Sequence, residues 1–246
     1  MCELLGFSAR KPTDLRKQLR SFYAHSVRHP HGWGMMHSGG IVREAVRAED
    51  SELLRTLLDT LPPQSKLLGH IRYATVGSVR LENCHPFTAQ DDTGRAWTMI
   101  HNGTIYSGRQ LIGSAHLQAG DTDSERLFLY LLRCINAAKP QTPAERFSLI
   151  ESFVREIAPR NKLNLIIDDG DLLYVHKNMA DTLQYRKLGT GYLFATAPVD
   201  DGDWHDLPLA QVFAYRDGAR IFKGEPHSGI FVPTLQYITA ADAMNI

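Results

Sequence analysis

Apolar residues recur along this chain with two spacings. Some segments alternate apolar and polar residues, or are apolar throughout a short stretch, which is typical of β-strands. Others repeat their apolar residues every three or four positions, which is typical of amphipathic helices. The first pattern predicts strands at residues 3–9, 33–37, 41–46, 67–74, 97–101, 163–167 and 172–176, with more short strands toward the end of the chain.

Helix signals fall between these strands. A start signal at residues 12–14 precedes a first helical stretch that carries Leu15, Leu19 and Phe22. No low-complexity linker or repeat interrupts the chain, so we predict a single domain over residues 1–246, of the α+β class with largely antiparallel sheets. The other predicted helices are residues 51–61, 123–138 and 144–158.

The composition fits a globular protein without attraction to polyanions. The chain has 246 residues, 43% of them hydrophobic, which is enough to bury a sizeable core. Lysine plus arginine and aspartate plus glutamate each number 27, so no net charge draws the chain to nucleic acid or to an anionic membrane. The longest apolar runs, at residues 163–167 and 192–197, are far shorter than the roughly 20 residues of a membrane span. We therefore expect a soluble protein that binds neither nucleic acid nor membrane.

The cysteines and the opening residues predict a cellular location. Cys2, Cys84 and Cys134 form neither a CxxC pair nor an even set, which is typical of a reducing compartment. The first residues lack the basic region and the long apolar region of a secretory signal. We therefore expect a cytoplasmic protein.

Cys2 is the first residue that could carry chemistry. Initiator methionine is normally removed when a small residue such as cysteine follows, and its removal would place a free α-amine on the same residue as the thiol. With a reference pKa of about 7.7 to 8.0, that amine can take the thiol proton near neutral pH. The resulting thiolate is a nucleophile that can attack an amide. Taken alone, the simpler interpretation of Cys2 is a small apolar residue at the start of a strand.

Asn102 and Gly103 follow the predicted strand at residues 97–101. Asn-Gly between two apolar segments is the strongest short-range signal for a hairpin turn. The pair also offers two donors, a side-chain amide and an unobstructed backbone N–H, that could converge on the oxyanion of a tetrahedral intermediate. A hairpin tip could present both donors, so the two interpretations are compatible.

Arg72 and Asp123 could bind the charged ends of an amino acid. Arg72 lies toward the end of an apolar segment, and its planar guanidinium suits bidentate binding of a carboxylate. Asp123 could accept hydrogen bonds from an ammonium group. Each residue has a structural alternative, which is a salt bridge for Arg72 and, for Asp123, a place within the capping-box pattern of Thr122 and Glu125. Neither motif decides the matter alone.

The order of these motifs is more informative than any one of them. Along the chain, Cys2 is followed by HIRYAT at residues 70–75, HNG at 101–103 and GDTDSE at 120–125. In this order the chain resembles the class II glutamine amidotransferases of the N-terminal-nucleophile hydrolase superfamily. The opening MCELLGFSA, the HGWG at residues 31–34 and the NCHPF at 83–87 resemble the small stand-alone bacterial members in particular.

The resemblance implies a fold and a mechanism. The fold is a four-layer αββα sandwich, in which two antiparallel sheets lie between layers of helices. The resemblance implies that Cys2 attacks the carboxamide of glutamine and that Asn102 and Gly103 form the oxyanion hole. It further implies that Arg72 binds the α-carboxylate and Asp123 the α-amine. Ammonia then leaves, and water hydrolyses the γ-glutamyl thioester to glutamate.

Departures from the family pattern leave the substrate open. Tyr73 replaces the tryptophan of the hexosamine-forming enzymes, Val76 stands where those often carry histidine, and His31 stands where stand-alone members usually carry aspartate. Two alternatives therefore remain, namely a hydrolase of another γ-glutamyl amide and an inactive family member that binds amino acids or a partner protein. The joint presence of the cysteine, the Asn-Gly pair, the arginine and the aspartate favours activity.

The resemblance also bears on cofactors and partners. We expect no cofactor and no metal, because the histidines of the N-terminal region lack a compact ligand spacing with cysteine or carboxylate. The glutaminase part of the family fills nearly the whole chain, so any use of the ammonia implies a separate synthase partner. A homo-oligomer stays open. The four histidines in question are His25, His29, His31 and His37.

Overall fold

The computed structural model describes residues 2–233, within which it forms thirteen strands and four α-helices. The α-helices are α1 (Arg16–Ala24), α2 (Glu52–Thr60), α3 (Asp123–Ala138) and α4 (Pro143–Ile157). The strands are β1 (Glu3–Thr13), β2 (Trp33–His37), β3 (Gly40–Glu44), β4 (Gln64–Ile71), β5 (Phe87–Gln90), β6 (Ala96–Thr104), β7 (Lys162–Asp168), β8 (Leu173–His176), β9 (Gln184–Leu188), β10 (Gly191–Ala195), β11 (His205–Asp206), β12 (Phe213–Arg216) and β13 (Ala219–Lys223).

The strands form two antiparallel sheets. The first sheet has seven strands in the order β11-β9-β10-β1-β4-β2-β3, and the second has six in the order β13-β12-β8-β7-β6-β5. Strand β1 is central in the first sheet, between β10 and β4. Strand β6 lies between β5 and β7 in the second sheet. Cys2 directly precedes β1, and Asn102 and Gly103 lie near the end of β6. These residues therefore belong to different sheets.

Alternation along the strands builds the layers. Successive side chains of a strand point to opposite faces, and on β1 Leu4 joins the core between the sheets whereas Leu5 and Phe7 join a core shared with α1 and α2. On the second sheet, Ile100 of β6 joins the core between the sheets, and Met99 joins a core shared with α3 and α4. Three apolar interfaces thus separate four layers, and the αββα sandwich is the observed architecture.

Helix α3 spans the residues that the sequence predicted. Its N-cap, Thr122, accepts a hydrogen bond from the Glu125 N–H at 3.2 Å, and Lys139 ends the helix with a left-handed φ of 47°. The Glu125 carboxylate does not complete the capping box. It accepts instead from the N–H groups of Ala119 and Gly120, each at 2.8 Å. Glu125 therefore anchors the segment that precedes the helix.

The local structure differs from the sequence interpretation in three places. Asn102 and Gly103 do not form a hairpin tip, because both lie within β6, where they pair with Asn164 and Leu163 of β7. The backbone N–H and C=O groups of this segment find hydrogen-bond partners on β7. A hairpin turn would instead have to satisfy them within the turn. The predicted strand at residues 67–74 also ends early, at Ile71, and strand β5 was missed. No helix among the described residues 2–233 is long and apolar enough to span a membrane.

Candidate active site

Cys2 directly precedes β1, at the point where the neighbouring strand β4 ends. The register pairs Glu3 with Ile71, so Cys2 meets the residues that follow β4. Its Sγ accepts a hydrogen bond from the Tyr73 N–H at 3.3 Å and lies 3.4 Å from the Tyr73 carbonyl oxygen, to which the thiol can donate. Strand pairing therefore brings the cysteine to the HIRYAT segment, 71 residues away in the sequence.

The surroundings of the Cys2 sulfur have opposing effects on its ionisation. Burial raises the pKa of the thiol. The Tyr73 N–H and the positive charges of Arg72 and Lys162 act in the other direction, because each favours the thiolate. The thiol is therefore protonated in the resting site, and attack on a carbonyl requires a base.

Arg72 is buried and its guanidinium faces backbone oxygens. It is 2% exposed and donates to the carbonyl oxygens of Val76, Gly77 and Ser78 at 3.0–3.2 Å. The salt bridge considered from the sequence is not formed with any carboxylate in the described part of the chain. Arg72 instead organises the loop at residues 76–78.

His31 stabilises the same segment from the other side. Its backbone N–H donates to the Arg72 carbonyl oxygen at 3.1 Å, and its Nδ1 accepts from the Ala74 N–H at 2.9 Å. Burial and the charge of Arg72 lower the pKa of His31, so its Nδ1 stays an acceptor at neutral pH. His31, which departs from the family pattern, thus supports the backbone that contacts Cys2.

Asn102 and Gly103 approach this region from the second sheet. Asn102 is 1% exposed. His70 lies two residues before Arg72. Its Nε2 donates to the carbonyl oxygen of His101 at 3.3 Å. This contact joins the end of β4 to β6 one residue before Asn102. The sheets therefore meet where the cysteine, the arginine and the Asn-Gly pair are located.

Asp123 links the start of α3 to the end of β6. Its carboxylate accepts from the Ile105 N–H at 2.7 Å and from the Ser124 N–H at 2.9 Å. Ile105 follows the HNG segment directly after Thr104, so the aspartate is close to the Asn-Gly pair in space. Asp123 is the first residue of the helix, where the helix dipole favours a negative charge.

Hydrogen bonds of polar side chains tie the NCHPF segment to the loop at residues 76–78 and to the GDTDSE segment. Asn83, buried in the NCHPF segment, donates from Nδ2 to the Ser78 carbonyl oxygen at 2.7 Å and to Asp121, whose N–H donates back to the Asn83 Oδ1 at 2.9 Å. Ser78 Oγ also contacts the Asp121 carboxylate at 3.1 Å. The loop organised by Arg72 is thereby tied to the GDTDSE segment. Hydrogen bonds therefore link Cys2 to HIRYAT, HIRYAT to HNG, and HNG to GDTDSE.

Three buried histidines pack behind these residues. The His70 and His85 rings stack with centroids 4.0 Å apart. His101 donates from Nε2 to the Lys162 carbonyl oxygen at 3.2 Å and contacts Ser124 Oγ through Nδ1 at 2.9 Å. Burial lowers the pKa of His70 to about 3 and that of His85 well below its usual value. The His70 and His85 rings are therefore neutral, and His101 lies on the face of β6 that is turned toward α3.

Sequence reasoning missed Lys162. This residue begins β7, is 3% exposed, and donates from Nζ to the Asn102 Oδ1 at 3.2 Å. Burial lowers its pKa to about 8, which the thiolate charge of Cys2 opposes. A lysine at the start of the largely apolar segment KLNLII was the available signal. Within residues 2–233, no group of three or more His, Cys, Asp or Glu side chains is arranged to hold a metal ion.

Comparison with known sequences gives one family match and several similar proteins. The sequence model of the class II glutamine amidotransferases matches residues 1–188. YafJ of Escherichia coli K12, named as a candidate glutamine amidotransferase, is 32% identical over 180 residues, which cover 69% of this chain and 70% of YafJ. An uncharacterized protein of Methanocaldococcus jannaschii is 26% identical over 258 residues, covering 92% of this chain and 72% of that protein.

Comparison with solved structures gives the same fold. A predicted glutamine amidotransferase from Pseudomonas aeruginosa PA01 superposes with a TM-score of 0.63 at 25% identity, covering 90% of this chain and 100% of that chain. The glutamine phosphoribosylpyrophosphate amidotransferase of B. subtilis superposes with a TM-score of 0.66 at 17% identity, covering 89% of this chain and 48% of that one, a likeness of fold alone. The sandwich is that of the N-terminal-nucleophile hydrolases, and the chain belongs to the class II glutamine amidotransferase family.

Proposed function

We propose that this protein hydrolyses the side-chain amide of glutamine, with Cys2 as the nucleophile once Met1 has been removed. Met1 itself lies outside the described residues. The observation that supports the proposal most directly is a chain of hydrogen bonds that joins Cys2 to HIRYAT, HIRYAT to HNG and HNG to GDTDSE, although these motifs are far apart in the sequence. Such a connection is unnecessary if each motif has only a local structural role.

The proposed chemistry needs only groups of this chain, glutamine and water. The α-amine of Cys2 takes the thiol proton, and the thiolate attacks the carboxamide carbon, whose π electrons move to oxygen. The Asn102 side-chain amide and the Gly103 N–H stabilise this oxyanion. The C–N bond then breaks, and the nitrogen leaves as ammonia with the proton from the α-ammonium. Water attacks the thioester, releasing glutamate and regenerating the thiol.

Arg72 and Asp123 are proposed to bind the two charged ends of the substrate. In the structure their side chains contact backbone groups, namely carbonyl oxygens for Arg72 and the Ile105 N–H for Asp123. Each of these contacts has one charged partner, whereas a substrate carboxylate or ammonium would make both partners charged and would add Coulomb attraction at a buried position. A substrate carboxylate and ammonium can therefore compete with these backbone contacts, and the Arg72 loop at residues 76–78 is the part that would rearrange.

Glutamate release tests the proposal. The N-terminal residue of the purified protein is identified by intact mass, and glutamate formation from glutamine is measured for wild type, Cys2→Ala and Cys134→Ala. Cys134 is a partly exposed free cysteine of α3 and serves as the matched control. We expect activity in wild type and Cys134→Ala and only the uncatalysed rate in Cys2→Ala. Equal activity in Cys2→Ala would contradict the proposal.

A second candidate substrate class is γ-glutamyl amides with larger amine groups. It is favoured by the exposed Tyr73, which lies next to the nucleophile and whose ring contacts His31 with centroids 5.2 Å apart. An open aromatic surface at this place would accept a leaving group larger than ammonia. A panel of γ-glutamyl amides in the same assay separates the two classes. Failure of the whole panel in a protein with a processed Cys2 would favour a binding role.

The fate of the ammonia is a separate proposal. If glutamine is the substrate, the ammonia is either released or used by a separate synthase partner. Glutamate release that increases when a partner and its acceptor are added would identify the second case. Organisation of the chain as one domain over residues 1–246 also remains a prediction, because residues 234–246 lie outside the described part.

A further inference from the structure

We propose that Lys162 is a positioning residue of the hydrolytic site, which fixes the Asn102 side-chain amide so that its Nδ2 faces the oxyanion. The proposal rests on the proposed function, since an oxyanion forms only if Cys2 attacks an amide. It adds a residue that the motif order did not indicate.

Strand register brings the two side chains together. Asn102 of β6 pairs with Asn164 of β7, and Lys162 lies two residues earlier on β7, opposite Thr104. Positions two residues apart on a strand share a face, and diagonal neighbours across antiparallel strands are within reach of long side chains. The Lys162 Nζ accordingly reaches the Asn102 Oδ1 at 3.2 Å.

The chemistry of this contact selects one orientation of the amide. An ammonium group has three donors and no acceptor, whereas an asparagine amide has a carbonyl oxygen on one side and an NH₂ group on the other. Only the carbonyl oxygen can pair with Lys162. The NH₂ group is therefore turned away from Lys162 and is available to donate elsewhere. A rotation of 180° would place donors against donors.

The burial of Lys162 is a second, independent observation. Removing an ammonium group from water costs several kcal/mol unless the charge is compensated, so buried lysines are rare. Lys162 and Cys2 interact electrostatically, since each favours the charged form of the other. The ammonium thus lies near the Cys2 sulfur, which becomes negatively charged only when the thiol proton is taken up by the base.

The ionisation of Lys162 adds a pH dependence. Burial lowers its pKa to about 8. Above that pH the neutral amine can accept a hydrogen bond from the Asn102 NH₂ group, so the preference for one amide orientation is lost. The groups that face Lys162 include Cys2 and His101, and the Cys2 α-amine must be deprotonated to act as the base, which gives kcat a rising limb near the same pH. We therefore expect a bell-shaped pH profile of kcat whose alkaline limb, near pH 8, is absent when residue 162 cannot ionise.

Substitution of Lys162 by methionine tests the proposal, with Lys66→Met as the matched control. Lys66 pairs with Asp168 at the other end of β7. We expect Lys162→Met to lower kcat at least about tenfold, a part of the roughly 100-fold or larger loss seen when an oxyanion donor is removed, with KM changed less than about twofold. Lys162→Gln, which retains a donor for Oδ1, should retain more activity and provides a second variant should the methionine variant fold poorly.

A double-mutant cycle separates positioning from a general structural role. If Lys162 acts through Asn102, Lys162→Met should change kcat less than about twofold in an Asn102→Ala background. The same fold-loss in both backgrounds, or an equal loss in Lys66→Met, would overturn the proposal.

A measurement without turnover separates this proposal from the proposed function. In a ¹⁵N-labelled protein, the Asn102 NH₂ group should give one pair of slowly exchanging signals in wild type and faster exchange in Lys162→Met. Unchanged exchange would refute the positioning role even if glutamine is hydrolysed. Increased exchange in a protein that hydrolyses no γ-glutamyl amide would support the positioning of Asn102 while refuting the hydrolytic function.

Discussion

At the scale of single residues, Gly103 shows how close strand packing determines identity. A Cβ atom at this position would lie 1.8 Å from the Lys162 carbonyl oxygen and 2.4 Å from the His101 Nε2. Its φ is not in the left-handed region, so glycine is required by contact and not by a turn. The sequence interpretation of Asn-Gly as a hairpin correctly identified an unusual glycine but assigned it the wrong cause.

We expect Gly103→Ala to destabilise the protein by about 3 kcal/mol, the upper part of the range for overpacking, because the clash is with backbone of the adjacent strand. The free energy of unfolding from urea titration measures the effect. Gly113→Ala is the control, since its Cβ would meet only the end of the flexible Arg133 side chain. Equal stability of the two variants would show that β6 and β7 can separate at this point.

At the scale of elements, helices α3 and α4 begin with the same kind of N-cap hydrogen bond, but loss of that bond should have different effects in the two helices. Thr122 and Thr142 each accept a hydrogen bond from a backbone N–H three residues later, at 3.2 Å in both cases. Helix α4 has the complete capping box, which it forms with Glu145, and it packs in the core that the second sheet shares with α3 and α4. Helix α3 begins with Asp123, so its cap also orients a residue of the candidate site.

Replacing each cap by alanine should separate stability from substrate binding. Both Thr122→Ala and Thr142→Ala should lose about 1 kcal/mol of unfolding free energy. Only Thr122→Ala should raise KM for the hydrolysed γ-glutamyl amide, because only that cap fixes the first turn that carries Asp123. Steady-state kinetics and urea titration give the two quantities. A similar KM rise in Thr142→Ala would mean that the effect follows from global destabilisation.

At the scale of the whole molecule, the interfaces between layers contain neutral histidines. Burial lowers the pKa of both His70 and His176 to about 3 and that of His85 well below its usual value. In the unfolded chain the same side chains titrate at about 6.5. Between these values the unfolded state binds more protons than the folded state, so stability must decrease as pH falls.

The expected slope is about 1.4 kcal/mol per pH unit for each histidine, or about 4 kcal/mol per unit for three, between roughly pH 6 and pH 4. Urea titrations at several pH values measure it. His176→Gln should reduce the slope by about 1.4 kcal/mol per unit. His205→Gln, which replaces an exposed histidine, is the control. A slope that is the same in all three proteins would show that His176 becomes protonated without unfolding.

The sequence by itself determined the family motifs, the αββα class that the resemblance implied, and the bounds of α3. These depend on short-range signals, since a cap or an amphipathic repeat acts within a few residues, and motif order is a property of the chain alone. The tertiary structure decided that Asn102 lies within a strand, that Cys2 meets Tyr73, and that Lys162 contacts Asn102. Such contacts join residues 60 or more positions apart, and their register follows from burial on both faces of each sheet, which no local pattern specifies.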